Sequence, residues 1–235
     1  MAVKINAKNA IIVLLAVIAA GIFIASLTLN AMREYDAVRP VEFCIVPICL
    51  AIAALRLNET KADGALLCGA LAFTIAADYF MVLLESYYEL SLAFFSAAQL
   101  FYWARILLLR RSKKYAIISA CVRAAVCIIL CSVGAVLMRG AWLLGALAAF
   151  YFANLAINAA EAFMLCRKDK SFLPFAAGLL LFIGCDICVG FNAAHMAGIH
   201  ITSKGYYALS LLIWIFYMPS QVLLSLSAKR KTTEI

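Results

Sequence analysis

The chain has 235 residues, 67% of them hydrophobic and only 14% charged, with a mean hydropathy of +1.03, whereas soluble domains run about 45–50% apolar and about 25% charged. So large an excess cannot be hidden in one soluble core, and the sequence is that of an integral membrane protein. The net charge of +8 does not point to a nucleic-acid partner, because the basic residues sit in short clusters between apolar runs, as in cytoplasmic loops.

In chain order, the first apolar run, "AIIVLLAVIAAGIFIASLTL" at 10–29, has the ~20 residues of a spanning helix rather than the 7–15 of a signal-peptide core. Runs near 40–56, 64–84, 90–109, 115–137, 141–166, 172–194 and 206–227 come after it. They predict eight spans in a single membrane domain over residues 1–235. A backbone in hydrocarbon has to satisfy its own hydrogen bonds, so the fold class is all-α, a helical membrane bundle. The second run is the shortest and carries Pro47, which predicts a tilt or bend. Pro219 in "FYMPSQ" frees the Ile215 carbonyl and predicts a kink turned toward protein or water.

Orientation is read from lysine and arginine. With the N-terminus in the cytoplasm, the inner segments hold Lys4, Lys8, Arg56, Lys61, Arg110, Arg111, Lys113, Lys114, Arg167, Lys168, Lys170, Lys229, Arg230 and Lys231. The outer loops hold only Arg33, Arg39, Arg139 and Lys204. This asymmetry over short loops predicts both termini inside. For a bacterial chain the membrane would be the plasma membrane. Arg105 and Arg123 fall in the inner parts of their spans and are expected to snorkel to headgroups.

The polar residues left inside the spans carry the functional signal. Asp78 lies in "AFTIAADYFMVL", although a charge near the bilayer centre costs about 2.5–3.5 kcal/mol on insertion scales. Asp186, in "LLLFIGCDICVGF", falls at nearly the same depth of a parallel span. Such acids either tie helices together as protonated carboxyls or line a cavity, and two at matched depth favour the cavity. Ser96, Gln99 and Tyr102 share a helix face, as do Tyr151, Asn154, Asn158 and Glu161, and again Tyr217, Gln221 and Ser225. These stripes predict one polar pocket lined by Asp78, Asp186, Gln99, Asn154, Tyr217 and Gln221. "GALAFTIAAD" and "GLLLFIGCD", ending at the two aspartates, are a faint internal echo.

Other chemistries find no residues. The nine cysteines are almost all inside apolar runs and read as small fillers, and "CDIC" at 185–188 has no second pair at ligand spacing. His195 and His200 are at the wrong step for two ligands on one helix face, and no HExxH is present, so no metal and no other cofactor is expected. There is no lysine deep in a span for a retinal Schiff base, no G-x-S-x-G and no P-loop.

Three segments resemble the YhhN-like lysoplasmalogenase family of eight-span membrane proteins. They are "CGALAFTIAADYFMVLLES" followed by "LAFFSAAQLFYWARI", then "AAGLLLFIGCDICVGFN", and the final "WIFYMPSQVLLSLS". Together they cover about a third of the chain. One position departs: many relatives carry a histidine in the fourth span where this chain has Gln99, which can hydrogen-bond but cannot shuttle a proton. The resemblance implies an ether hydrolase that cleaves the vinyl ether of lysoplasmalogens to a fatty aldehyde and glycerophosphoethanolamine or glycerophosphocholine. It implies Asp78 and Asp186 as the acid–base pair, with Gln99, Tyr102, Tyr151, Asn154, Asn158, Tyr217 and Gln221 around an ether-lipid substrate drawn from the bilayer. Two other readings fit the same residues: a small secondary transporter with the acids as coupling site, and a non-catalytic lipid-binding protein.

Overall fold

The computed structural model describes residues 7–196 and 200–228. Lys4, Lys229, Arg230 and Lys231, counted above as inner charges, lie outside the described residues. Over the described residues the chain is all-helical: α1 (Ala7–Met32), α2 (Tyr35–Phe43), α3 (Ile45–Leu55), a single turn α4 (Leu57–Thr60), α5 (Ala62–Asp78), α6 (Tyr88–Arg110), α7 (Lys113–Leu137), α8 (Trp142–Lys168), α9 (Leu173–Met196) and α10 (Ser203–Leu226). A π-helical turn, Tyr79–Leu83, continues α5. Among the described residues, eight helical stretches are long and apolar enough to cross a membrane, as the runs of apolar residues predict, with ends shifted by a few residues.

The second span, Asp36–Leu55, is α2 and α3 joined at Cys44. The span is interrupted where a bend is expected, and proline chemistry accounts for the interruption. Pro47 has no N–H to offer the Phe43 carbonyl, so the helical ladder is interrupted there. Pro219, by contrast, sits inside a single uninterrupted α10.

Six helices close a ring: α3 packs on α5, α5 on α6, α6 on α8, α8 on α9, α9 on α10 and α10 back on α3. Two helices stand outside it. Helix α1 leans on α2, α3 and α10, and α7 leans mainly on α8. These outer helices bury the least surface, in keeping with lipid-facing positions. The α7–α8 contact depends on Gly134 and Gly145, where a Cβ on either residue would overlap the carbonyl oxygen of the other. Small residues let membrane helices approach this closely and gain van der Waals contact.

The two arginines expected to snorkel do not. Arg105 is fully buried, with Nε 2.6 Å from Asp63 Oδ1 and Nη2 3.1 Å from Oδ2, and it also donates to the Ser227 hydroxyl and carbonyl. Phe175 covers the guanidinium at 4.4 Å. Arg123 is buried against α8, 2.9 Å from Glu161 Oε2, and donates to the Asn154 and Asn158 side-chain oxygens. Snorkelling needs a clear path to headgroups; here a carboxylate from a neighbouring helix meets each guanidinium first, and a paired buried charge avoids most of the desolvation cost.

Lys8 at the start of α1 pairs with Glu59 on α4, and Arg56 donates to the Leu226 carbonyl at the end of α10. The beginning of α1 and the end of α10 are thus at one end of the bundle, as an even number of spans requires.

Candidate active site

At the opposite end a cavity of about 570 Å³ opens between α1, α2, α5 with its π turn, α6, α8, α9 and α10, a size in the range of roughly 300–1,000 Å³ typical of small-molecule sites. Asp78 and Asp186 both line it.

Asp78 is the last residue of α5 before the π turn, in which Leu84 N–H reaches back to the Tyr79 carbonyl at 3.1 Å. A π turn adds a residue to the helical cycle and re-aims the side chains beyond it, and such turns recur at functional sites. Asp78 is 2% exposed, and the Tyr217 hydroxyl of α10 donates to its carboxyl Oδ2 at 2.5 Å. Asp186, on an unbroken stretch of α9, is partly exposed, and it is the cavity that it faces. The Tyr151 phenol of α8 lies beside it, but neither the Tyr151 hydroxyl nor Asp186 Oδ2 closes a hydrogen bond. Each aspartate therefore has a tyrosine neighbour. The Phe182 ring separates the two tyrosines, with its centroid 5.6 Å from that of Tyr217 and 6.4 Å from that of Tyr151.

A third carboxyl, Glu42, lines the same cavity. It is almost fully buried, and two donors on α1 hold its Oε1: the Ser26 hydroxyl at 2.9 Å and the Asn30 amide at 2.7 Å. At the mouth, Arg39 on α2 pairs with Glu85, just past the π turn, at 2.8 Å. Asn192, Tyr206 and Trp214 complete the polar and aromatic lining.

Of the residues expected in one pocket, Asp78, Asp186, Tyr151 and Tyr217 line the cavity, while Gln99, Tyr102, Asn154, Asn158 and Gln221 do not. Asn158 donates to the Gln99 carbonyl and side-chain oxygens at 2.8 and 3.0 Å, and Asn154 is tied to Arg123. These residues cross-link α6, α7 and α8. Tyr102 and Gln221 are wholly buried nearer the other end of the bundle, and their Tyr102 Oη, Gln221 Nε2 and Gln221 Oε1 atoms have no hydrogen-bond partner. The correction has a simple cause. A helical stripe identifies which face turns inward, but it runs the length of the span, whereas the cavity occupies one end.

Glu42, Arg39 and Glu85 escaped the sequence reading. Glu42 sits two residues inside the predicted start of its span, where a carboxylate passes for a boundary residue. Arg39 and Glu85 were loop charges until α2 and the π turn brought them together. The phenylalanines of the two aspartate segments have different neighbours. Phe73 packs on Phe94 and Phe101, whereas Phe182 stands between Tyr151 and Tyr217.

Compared with known proteins, the chain matches the model of the YhhN family over residues 38–228. No curated protein and no solved structure matches it.

Proposed function

The chain belongs to the YhhN family, and from that premise we propose that it is a membrane-embedded ether hydrolase acting on lysoplasmalogens. The observation that carries the reading is that two intramembrane carboxyls, Asp78 and Asp186, line one cavity of lipid-fragment size. Vinyl ether cleavage needs a proton donor, a group that tolerates or stabilises an adjacent cation, and one water molecule. Two carboxyls in different protonation states supply the first two, as they do around the oxocarbenium-like state of glycoside hydrolysis.

In this mechanism Asp186 is the acid, because it lines the cavity and its Oδ2 lacks the close tyrosine hydrogen bond that Asp78 accepts from Tyr217. Its proton goes to the β-carbon of the vinyl ether, whose C=C electron pair forms the new C–H bond. The ether oxygen shares its lone pair with the resulting cation. Asp78 is the ionised partner: it accepts the Tyr217 hydrogen bond, stabilises the cation, and takes a proton from the water that adds to it. The hemiacetal then collapses. Asp78 returns its proton to the glycerol oxygen as the C–O bond to that oxygen breaks, and the hemiacetal hydroxyl gives its proton to Asp186 as the C=O forms. The products are a fatty aldehyde and a glycerophospho-base, with both aspartates restored. The scheme requires no cofactor. Gln99, where many relatives carry histidine, is outside the cavity lining, so these proton transfers run without it.

The test is aldehyde release from a lysoplasmalogen by the purified protein in detergent, with a saturated lysophospholipid as control. Aldehyde only from the vinyl ether supports the reading. Its absence, together with altered small-molecule uptake in cells lacking the protein, would support the transporter reading instead.

A further inference from the structure

We propose that the cavity mouth is a clamp for a zwitterionic phospholipid headgroup, in which Arg39 takes the phosphate and Glu85 takes the ammonium. The proposal rests on the reading that a lysolipid enters this cavity, and it names the part of the lipid that is recognised.

The charges are unevenly distributed. Among the described residues lining the cavity, Arg39 is the one cation, against the carboxyl side chains of Glu42, Asp78, Glu85 and Asp186. Arg39 and Glu85 are also the half-exposed pair, with side chains 36% and 51% accessible, while Glu42 and Asp78 are buried deeper in the wall. Arg39 Nη2 and Glu85 Oε2 stand 2.8 Å apart, and Asp36 adds a second, weaker contact to the guanidinium at 3.8 Å. An exposed ion pair of this kind contributes little to stability, so opening it costs little. What it does is hold two opposite charges side by side at the entrance.

A zwitterionic headgroup carries the complementary pair. When it enters, the guanidinium exchanges its carboxylate for two phosphate oxygens, a geometry its planar fork suits better than an ammonium would. Glu85, released, meets the amine. An anionic lipid without the amine would satisfy Arg39 but bring its charge against Glu85. A neutral glyceride would satisfy neither.

The backbone fixes the geometry. Glu85 and Tyr87 both adopt left-handed conformations, with φ of 46° and 55°, which non-glycine residues rarely occupy. The loop between the π turn and α6 is short, and the π turn joins it directly to Asp78. Tyr87, Tyr88 and Trp142 are exposed at this end of the bundle, the placement of aromatic side chains at a membrane–water interface. That puts the Arg39–Glu85 pair at headgroup level and the aspartates a short chain-length below it.

The experiment reads binding without turnover. Purified full-length protein carrying Trp103→Phe and Trp142→Phe, so that Trp214 on the cavity wall is the remaining tryptophan, is titrated by fluorescence with saturated lysolipids of one chain length: lysophosphatidylcholine, lysophosphatidylethanolamine, lysophosphatidic acid and a monoacylglycerol. The clamp predicts that the two zwitterions bind about tenfold or more tighter than the other two, as expected for charge-assisted hydrogen bonds. Arg39→Gln should erase the advantage over the monoacylglycerol, and Glu85→Gln the advantage over lysophosphatidic acid. Arg39→Lys, which keeps the charge and loses the fork, should fall between wild type and Arg39→Gln. Equal affinity for all four lipids in the wild type, or an unchanged ranking in the Gln variants, overturns the clamp. Because saturated lipids are not cleaved, the ranking is readable even if no aldehyde ever forms. Aldehyde release with no headgroup ranking would reject the clamp and leave the hydrolase reading in place.

Discussion

The two aspartates make different demands on their surroundings, and substitution separates chemistry from packing. Asp78→Asn and Asp186→Asn should each lower aldehyde release by about 10²–10⁴-fold, the usual contribution of a general acid or base, while purification yield and helicity stay at wild-type level. Asn keeps the shape but cannot carry the proton. Tyr217→Phe removes only the hydrogen bond to Asp78 and should cost less than Asp78→Asn when turnover is compared at saturating lipid. Arg105 behaves differently because its role is structural. Arg105→Met leaves Asp63 buried without its guanidinium, and thermal unfolding should register a loss of about 3–5 kcal/mol; pairing it with Asp63→Leu should recover most of that loss, since apolar replacement of a whole buried pair is often neutral. The aspartates were legible in the sequence because a carboxyl inside an apolar run is costly wherever the helix lies. The fates of Arg105 and Arg123 were not legible. Whether an intramembrane arginine reaches headgroups or a carboxylate depends on which helix packs beside it, and nothing local to residues 105 or 123 encodes Asp63 or Glu161.

Helix number and class were readable from run length alone, since hydrocarbon leaves the backbone no alternative to helix. Proline gave the break in the second span. The π turn gave no such signal: "YFMVL" contains no glycine or proline and reads as ordinary helix. Its importance can be tested by shortening it. Deleting Met81 should close the turn to α geometry and remove one residue from the reach between Asp78 and Glu85. Glu85 would swing away from Arg39, so headgroup discrimination and aldehyde release should fall together while far-UV circular dichroism stays nearly constant. The outer helix α7 offers a contrasting test. Gly134→Leu places a side chain where the Gly145 backbone now sits, and overpacking of this kind typically costs about 1–3 kcal/mol. A lower unfolding temperature is expected, with the cavity residues on the ring helices unaffected and the lipid ranking retained in the folded fraction.

For the whole molecule, the basic residues at the end that holds Lys8 and Arg56 predict that this end faces the cytoplasm, which would put the cavity mouth on the other side. A reporter fused after Ile235 should therefore be active in the cytoplasm; activity only outside would reverse the orientation, and with it the leaflet from which the lipid is drawn. The arrangement of α1 bears on how the protein is made. This helix stands outside the six-helix ring and precedes the segment 38–228 that matches the family, yet its Ser26 and Asn30 are the groups that hold Glu42. In chain order it precedes the other seven spans. A chain begun at Arg33 would have seven spans and would have to send its own N-terminus across the bilayer to keep the later loops on their proper sides. Helix α1 thus braces one wall of the finished cavity from outside the ring, and a chain without it would leave the Glu42 carboxyl with neither of its two side-chain donors.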